Sequence, residues 1–192
     1  MIPSPQKVIV MLENQVSAVH PRQSRMDTIS GIIDYTAVVA QTTIAENYIR
    51  IPPTLNRRYG GEMVAFFAAE AKASAITVPL DGLLPQVLLE LVACAKHLGK
   101  SHIRGALTTG IKWHFIAVDL DADSDGAKYW VSELIEWKTK RSPTSRERLV
   151  EGTADESDPA LIAGILSSWI PESFVEFNDD QWFFRQPGGG GV

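Results

Sequence analysis

Cysteine is almost missing from this chain: Cys94 is the one thiol in 192 residues, so no internal disulfide framework can hold the fold, and a reducing compartment suits it. Long hydrophobic runs are also missing, and none approaches the length that spans a bilayer. The opening Met1-Ile-Pro-Ser-Pro-Gln-Lys7 lacks a basic stretch feeding an apolar core with a small-residue cleavage point, so no secretory signal is predicted. An intracellular setting, cytoplasmic or nuclear, with no membrane partner, is the expectation. Basic charge is in deficit, with 18 Lys and Arg against 23 Asp and Glu for a net charge of −5. That balance counts against a protein that coats nucleic acid with a broadly basic surface. It leaves room for an enzyme that holds metal with carboxylates. The histidines, His20, His97, His102 and His114, show no metal-ligand spacing, no serine occupies a nucleophile elbow, and no phosphate-binding glycine fingerprint occurs.

The remaining composition, 45% hydrophobic and 21% charged, is that of an ordinary globular protein with one sizeable core. Val8, Leu12, Val16 and Val19 fall at helical spacing and predict a helix over 5–19. The β-branched apolar run over 31–40 predicts a mostly buried strand. Pro52-Pro53, Arg57-Arg58 and Gly60-Gly61 mark 46–61 as a loop or insertion, and Met63-Val-Ala-Phe-Phe67 starts a second apolar strand. Asp81 can cap a helix over 83–98 that buries Leu84, Leu88, Leu91, Ala95 and Leu98 and stops at Gly99. Cys94 inside that helix reads as a packed thiol. Strands are expected at 103–107 and 113–120 around a Thr109-Gly110 turn, with a further strand or helix over 129–137. A last helix is expected over roughly 158–169. The expected fold is therefore α/β, a mixed central sheet flanked by helices with a C-terminal helical extension. The chain divides into a core over 1–138, a polar linker over 139–158, an extension packing on the core over 159–186, and a disordered tail over 187–192.

Three groups of charged residues call for chemistry or for an ordinary surface. Basic clusters at Arg57-Arg58, Lys96–Arg104 and Lys138–Arg148 read as solvated faces. Asp121-Ala-Asp123-Ser-Asp125-Gly126 resembles the opening of a calcium-binding EF-hand loop. Its twelfth position is Ser132, however, and its flanks read as strands, so an acidic loop between strands is expected. The third group is Glu70-Ala71-Lys72 at the end of an apolar strand, where an acid and a lysine two residues apart point to one face. Asp34 interrupts another buried-type strand, where a lone carboxylate needs a cation or a hydrogen-bond partner. Gln86 and Glu90 lie one helical turn apart, off the leucine stripe. Carboxylates can hold Mg²⁺ for phosphodiester hydrolysis, Ala71 can offer a backbone carbonyl, and a neighbouring lysine can orient water.

Gly31-Ile-Ile-Asp-Tyr35, Phe67-Ala-Ala-Glu-Ala-Lys72, Leu84-Pro-Gln86 and Arg104-Gly-Ala-Leu-Thr-Thr-Gly110, followed by Trp113 and Phe115, together resemble the PD-(D/E)XK nuclease superfamily. The likeness extends to fungal proteins with a restriction-endonuclease-like core and covers roughly residues 24–120. The resemblance implies a Mg²⁺-dependent nuclease, with Mn²⁺ as an alternative ion, acting on nucleic acid and in the first instance DNA. Asp34 and Glu70 would bind metal, Lys72 would assist the water and Gln86 would support the site. An acid of the first helix sometimes joins in this superfamily, which would be Glu13. The first acid is commonly preceded by proline and followed soon by the Glu-x-Lys. Here Ile33 precedes Asp34 and a long span separates it from Glu70, so Asp27 competes for that role. The superfamily also contains inactive members, which gives the alternative of a nuclease-fold binding or interaction module.

Overall fold

The first element corrects the first expectation. Residues Gln6–Val19 form a strand, β1, and not the helix that the spacing of Val8, Leu12, Val16 and Val19 predicts. The chain there is rich in β-branched residues, and it satisfies its backbone by pairing antiparallel with β2 (Ile29–Gln41) from Gln6↔Gln41 to Val19↔Ile29. Tertiary pairing overrides a periodicity that four residues can satisfy by chance. These coordinates are a computed structural model that describes residues 5–19, 28–50, 63–73, 79–121, 126–137, 159–178 and 183–186.

A second correction follows β2. A helix, α1 (Thr42–Arg50), occupies the start of the segment expected to be loop, and it buries Ala45 and Tyr48. Thr42 ties it to the base of β1, because both its backbone N–H and its hydroxyl donate to the carbonyl of Pro5. The double proline, double arginine and double glycine that suggested a loop lie in 51–62, outside the described residues.

From there the order matches expectation. Strand β3 (Met63–Ala71) pairs antiparallel with β2, then a 3-10 turn (Leu80–Leu83) leads into α2 (Leu84–Leu98). Strand β4 (His102–Thr108) returns parallel to β3. Gly99, at φ 64°, ends α2 in the left-handed conformation that glycine adopts freely. Asp81 is not the cap of α2; the residue before the helix is Leu83, with no side-chain cap. The Asp81 carboxylate instead lies 2.8 Å from His114 Nε2. Strand β5 (Lys112–Leu120) follows β4 through a turn in which Gly110 sits at φ 87°. Strand β6 (Ala127–Ser132) pairs with β5, and β7 (Ile135–Glu136) also adds to β5. The loop between β5 and β6 is the acidic one, and its flanks are strands as expected; residues 122–125 lie outside the described set. Helix α3 (Pro159–Trp169) and strand β8 (Phe183–Gln186) complete the chain.

The product is a mixed sheet in the order β1-β2-β3-β4-β5-β6-β8, with β7 on a side branch. One face is covered by α2, where Val38, Phe66, Leu91, Cys94, Leu107 and Ile116 are fully buried. Burial pushes the Cys94 thiol upward, so it stays protonated and inert. The other face carries α3, with Phe67, Phe115, Trp130, Ile162 and Trp169. Trp169 meets Phe115 edge-on at 5.6 Å and Phe177 at 5.6 Å. Arg104, expected on a solvated basic face, is buried on this side. Its guanidinium lies 5.1 Å from the Trp169 ring and 3.5 Å from Glu172, and desolvation lowers its pKa. Helix α3, with Ile170 and Phe177 after it, thus packs on this face of the sheet. Among the described residues no helix is long and apolar enough to cross a membrane.

One contact fixes how α2 meets the sheet. A Cβ on Gly105 of β4 would lie 2.6 Å from the Ala68 carbonyl oxygen and 2.6 Å from Leu91 Cδ2. Leu91 therefore packs directly on the β4 backbone. We predict that Gly105→Ala lowers unfolding free energy by about 1–3 kcal/mol, the usual penalty of overpacking. In contrast Gly31→Ala, whose Cβ would meet Glu90 at an ordinary 3.9 Å, should change it by less than about 1 kcal/mol. Urea unfolding of the two variants checks both.

Candidate functional site

Along β3, Phe66, Ala68 and Glu70 alternate toward α2, and Phe67 and Ala69 toward α3. Alternation therefore carries the acid inward at the end of the strand, where its residue is only 4% exposed. Glu70 Oε1 is occupied: Lys72 Nζ donates to it at 2.5 Å and Gln86 Nε2 at 3.2 Å. The same Gln86 nitrogen donates to Glu90 Oε1 at 2.9 Å. Glu70 Oε2 is buried without a hydrogen-bond partner among the described residues. A carboxylate oxygen taken out of water and left unpaired is costly, and such an orphan suits a cation or a ligand donor.

Asp34 arrives from the side. The β2–β3 ladder ends at Tyr35↔Ala69. Two residues past Ala69 the Ala71 N–H, beyond the last β2 pairing, donates to Asp34 Oδ2 at 2.8 Å. The side chain closes the fork where the strands part. On the other edge the Lys72 N–H donates to the Thr108 carbonyl at 2.8 Å, so β4 holds the lysine in place. Two strands and one helix thus bring Asp34, Glu70, Lys72 and Gln86 together around the end of β3.

Glu90 completes the cluster, and the sequence pointed to it only as the neighbour of Gln86. It is half-buried above Gly31, and its pKa is raised from the ordinary 4.5 to about 7. Desolvation is the main cause, and Glu70 and Asp34 add repulsion, while the Gln86 hydrogen bond and Lys72 act in the opposite direction. The signal available in the sequence was its placement one helical turn after Gln86, which puts both on the same face.

Two further candidates fare differently. Glu13 lies on β1 rather than on a helix, between the pairs Leu12↔Tyr35 and Asn14↔Ile33, so it sits beside Asp34 in register. Its side chain is exposed and its backbone φ is 52°, a left-handed conformation. The charges acting on Glu90 are those of Glu70, Lys72 and Asp34, and the structure does not bring Glu13 into that network. Asp27 lies outside the described residues.

The metal question can be posed on these atoms. Among the described residues no group of three or more His, Cys, Asp or Glu gathers in a way that could hold a metal ion. The carboxylates available at the end of β3 are Asp34 and Glu70, with Oε2 of Glu70 unpaired among the described residues. That set fits Mg²⁺, which is commonly held by one or two carboxylates and completes its shell with water and substrate phosphate. It does not fit an ion that demands an all-protein cage. A cavity of about 440 Å³ lies on the opposite, α3, side of the sheet, walled by Tyr35, Ala37, Phe67, Ala69 and Trp113 and touching Ala71 and Lys72. Its walls are mainly apolar, so the cavity and the acid cluster meet only at the end of β3.

Comparison with protein-family models, with curated proteins and with solved structures finds no significant match to this chain.

The raised Glu90 pKa sets a pH dependence. An acid that titrates near 4.5 when unfolded and near 7 when folded binds more protons in the folded state between those values, so stability falls as pH rises across that window. Below the window the penalty is absent, and above it the penalty is complete. Melting temperatures between pH 4.5 and pH 7 should therefore decline in the wild type, and Glu90→Gln should flatten the decline.

Proposed function

We propose that the chain is a Mg²⁺-dependent phosphodiesterase acting on nucleic acid, with DNA as its first expected substrate. The observation that carries this reading is the buried Glu70 carboxylate, bound to Lys72 through one oxygen and unpaired at the other among the described residues, with Asp34 fixed beside it. The resemblance of Gly31–Tyr35, Phe67–Lys72 and Leu84–Gln86 to PD-(D/E)XK nucleases supports the same roles.

Asp34 and Glu70 would hold the ion, and when bound Mg²⁺ would polarise the phosphate and lower the pKa of the attacking water. The chain's own groups do the rest. Gln86 holds Glu70 Oε1 at 3.2 Å and keeps the carboxylate from rotating. The Lys72 ammonium, held beside Glu70, would be placed to offset negative charge developing on a phosphate bound at the end of β3. Glu90, near pH 7, can hold or release a proton close to that point.

The 2.5 Å Lys72–Glu70 ion pair and the two-carboxylate donor set favour a second reading, a nuclease-fold module without catalysis. Plasmid conversion with Mg²⁺ or Mn²⁺ tests the first. Wild type should nick or linearise DNA, and Glu70→Ala and Lys72→Ala should each reduce the rate about 100-fold or more. Equal cleavage by all three would remove the site assignment. Calorimetry with Mn²⁺ separates the readings further: heat that vanishes in Asp34→Ala supports a metal site, and no heat in the wild type supports the inactive module.

A further inference from the structure

Strand β1 is an end strand of the sheet among the described residues, and its outer face is apolar and bare. Val8, Val10 and Leu12 are 55%, 66% and 67% exposed, and they point to the side of the sheet on which α3 covers only the later strands. Tyr35, opposite Leu12 on β2, continues the patch, and the cavity on that side begins at Val10 and Tyr35. Edge strands usually defend themselves with charge. Here the charges are Lys7 and Glu13, of opposite sign and equally far from Val10 on either side.

That spacing makes the strand self-complementary. Antiparallel pairing of two copies about a two-fold axis at Val10 sets Val8 against Leu12, Ile9 against Met11 and Lys7 against Glu13, each twice. An axis one residue earlier would set Lys7 against Met11, and one residue later would set Ile9 against Glu13. Only the Val10 axis matches apolar with apolar and cation with anion. Lys7 is free to serve this pairing: its contact with Glu46 is a 3.4 Å ion pair with both side chains at least half exposed.

We propose that β1 is the interface of a two-fold symmetric dimer of this chain, joining two sheets edge to edge through Lys7–Glu13. The inference is independent of the nuclease reading. Sedimentation velocity or light scattering over a concentration series tests it on the full chain. The wild type should dimerise, and Val10→Lys, which places two cations on the axis, should leave monomer only. Lys7→Glu and Glu13→Lys should each weaken the dimer by at least several-fold, since each sets like charges opposite one another. The double variant, Lys7→Glu with Glu13→Lys, should regain the dimer. Circular dichroism of each variant should match the wild type, and if Val10→Lys does not fold the charge series decides alone. A wild type that stays monomeric, whatever else binds its edge, or a double variant no better than the singles, overturns the proposal.

Discussion

The fold and the candidate site both depend on how closely α2 can approach the sheet, and Gly105 sets that distance. With no Cβ on β4 at that point, Leu91 rests on the backbone itself. The first turns of α2 are thereby lowered onto the ends of β2 and β3, which is what brings Gln86 within 3.2 Å of Glu70 and seats Glu90 above Gly31. A bulkier residue on β4 would lift the helix and pull the amide away from the carboxylate before it touched any charged group. Packing density and polar geometry are the same constraint here, because protein interiors have little slack to absorb a misfit.

The buried acid is a liability that the surroundings offset only in part. Among the described residues Glu70 has two donors on one oxygen and none on the other. A carboxylate kept for stability alone would be expected to have both oxygens satisfied. Its neighbours Asp34 and Glu90 add negative charge, and Lys72 is the cation that closes the cluster. The excess of acid over base at the end of β3 is the physical basis for expecting a cation there.

Much of this was legible in residue patterns, and the exceptions have physical causes. The strand ending in Glu70-Ala71-Lys72, the helix closed by Gly99 and the hairpin at Thr109-Gly110 were all readable, because glycine conformation and strand alternation act locally. β1 was not readable: its apolar residues fit two periods, and only pairing with β2 decides between them. Thr42–Arg50 was obscured by the proline and glycine that follow it. Arg104 looked like part of a basic surface because sequence neighbours do not reveal that Trp169 and Phe177 arrive from the far end of the chain. Asp34, Lys72 and Gln86 stood out by residue type and element, and the structure gathers them at the end of β3. Glu90 was undervalued because a half-buried acid on an amphipathic helix differs from a solvated one only in what lies beneath it, and Gly31 lies 59 residues before it in the sequence.

The two strands beside the site share an irregularity. Ile9 and Met11 face the α2 core before Glu13, and Asn14 and Val16 face it after, so alternation in β1 slips by one residue at the left-handed Glu13. In β2, Ile33 and Val38 both belong to that core, so the slip recurs next to Asp34. Each strand is thus two half-strands of opposite phase joined at one level. Sliding either half by a residue would turn an apolar side outward in that half while the other stayed correct. Deleting a residue at the joint would therefore not be absorbed as loop length is absorbed elsewhere. It would rotate Asp34 out of the fork it closes, which makes this level of the sheet the one least open to insertion or deletion as the sequence drifts.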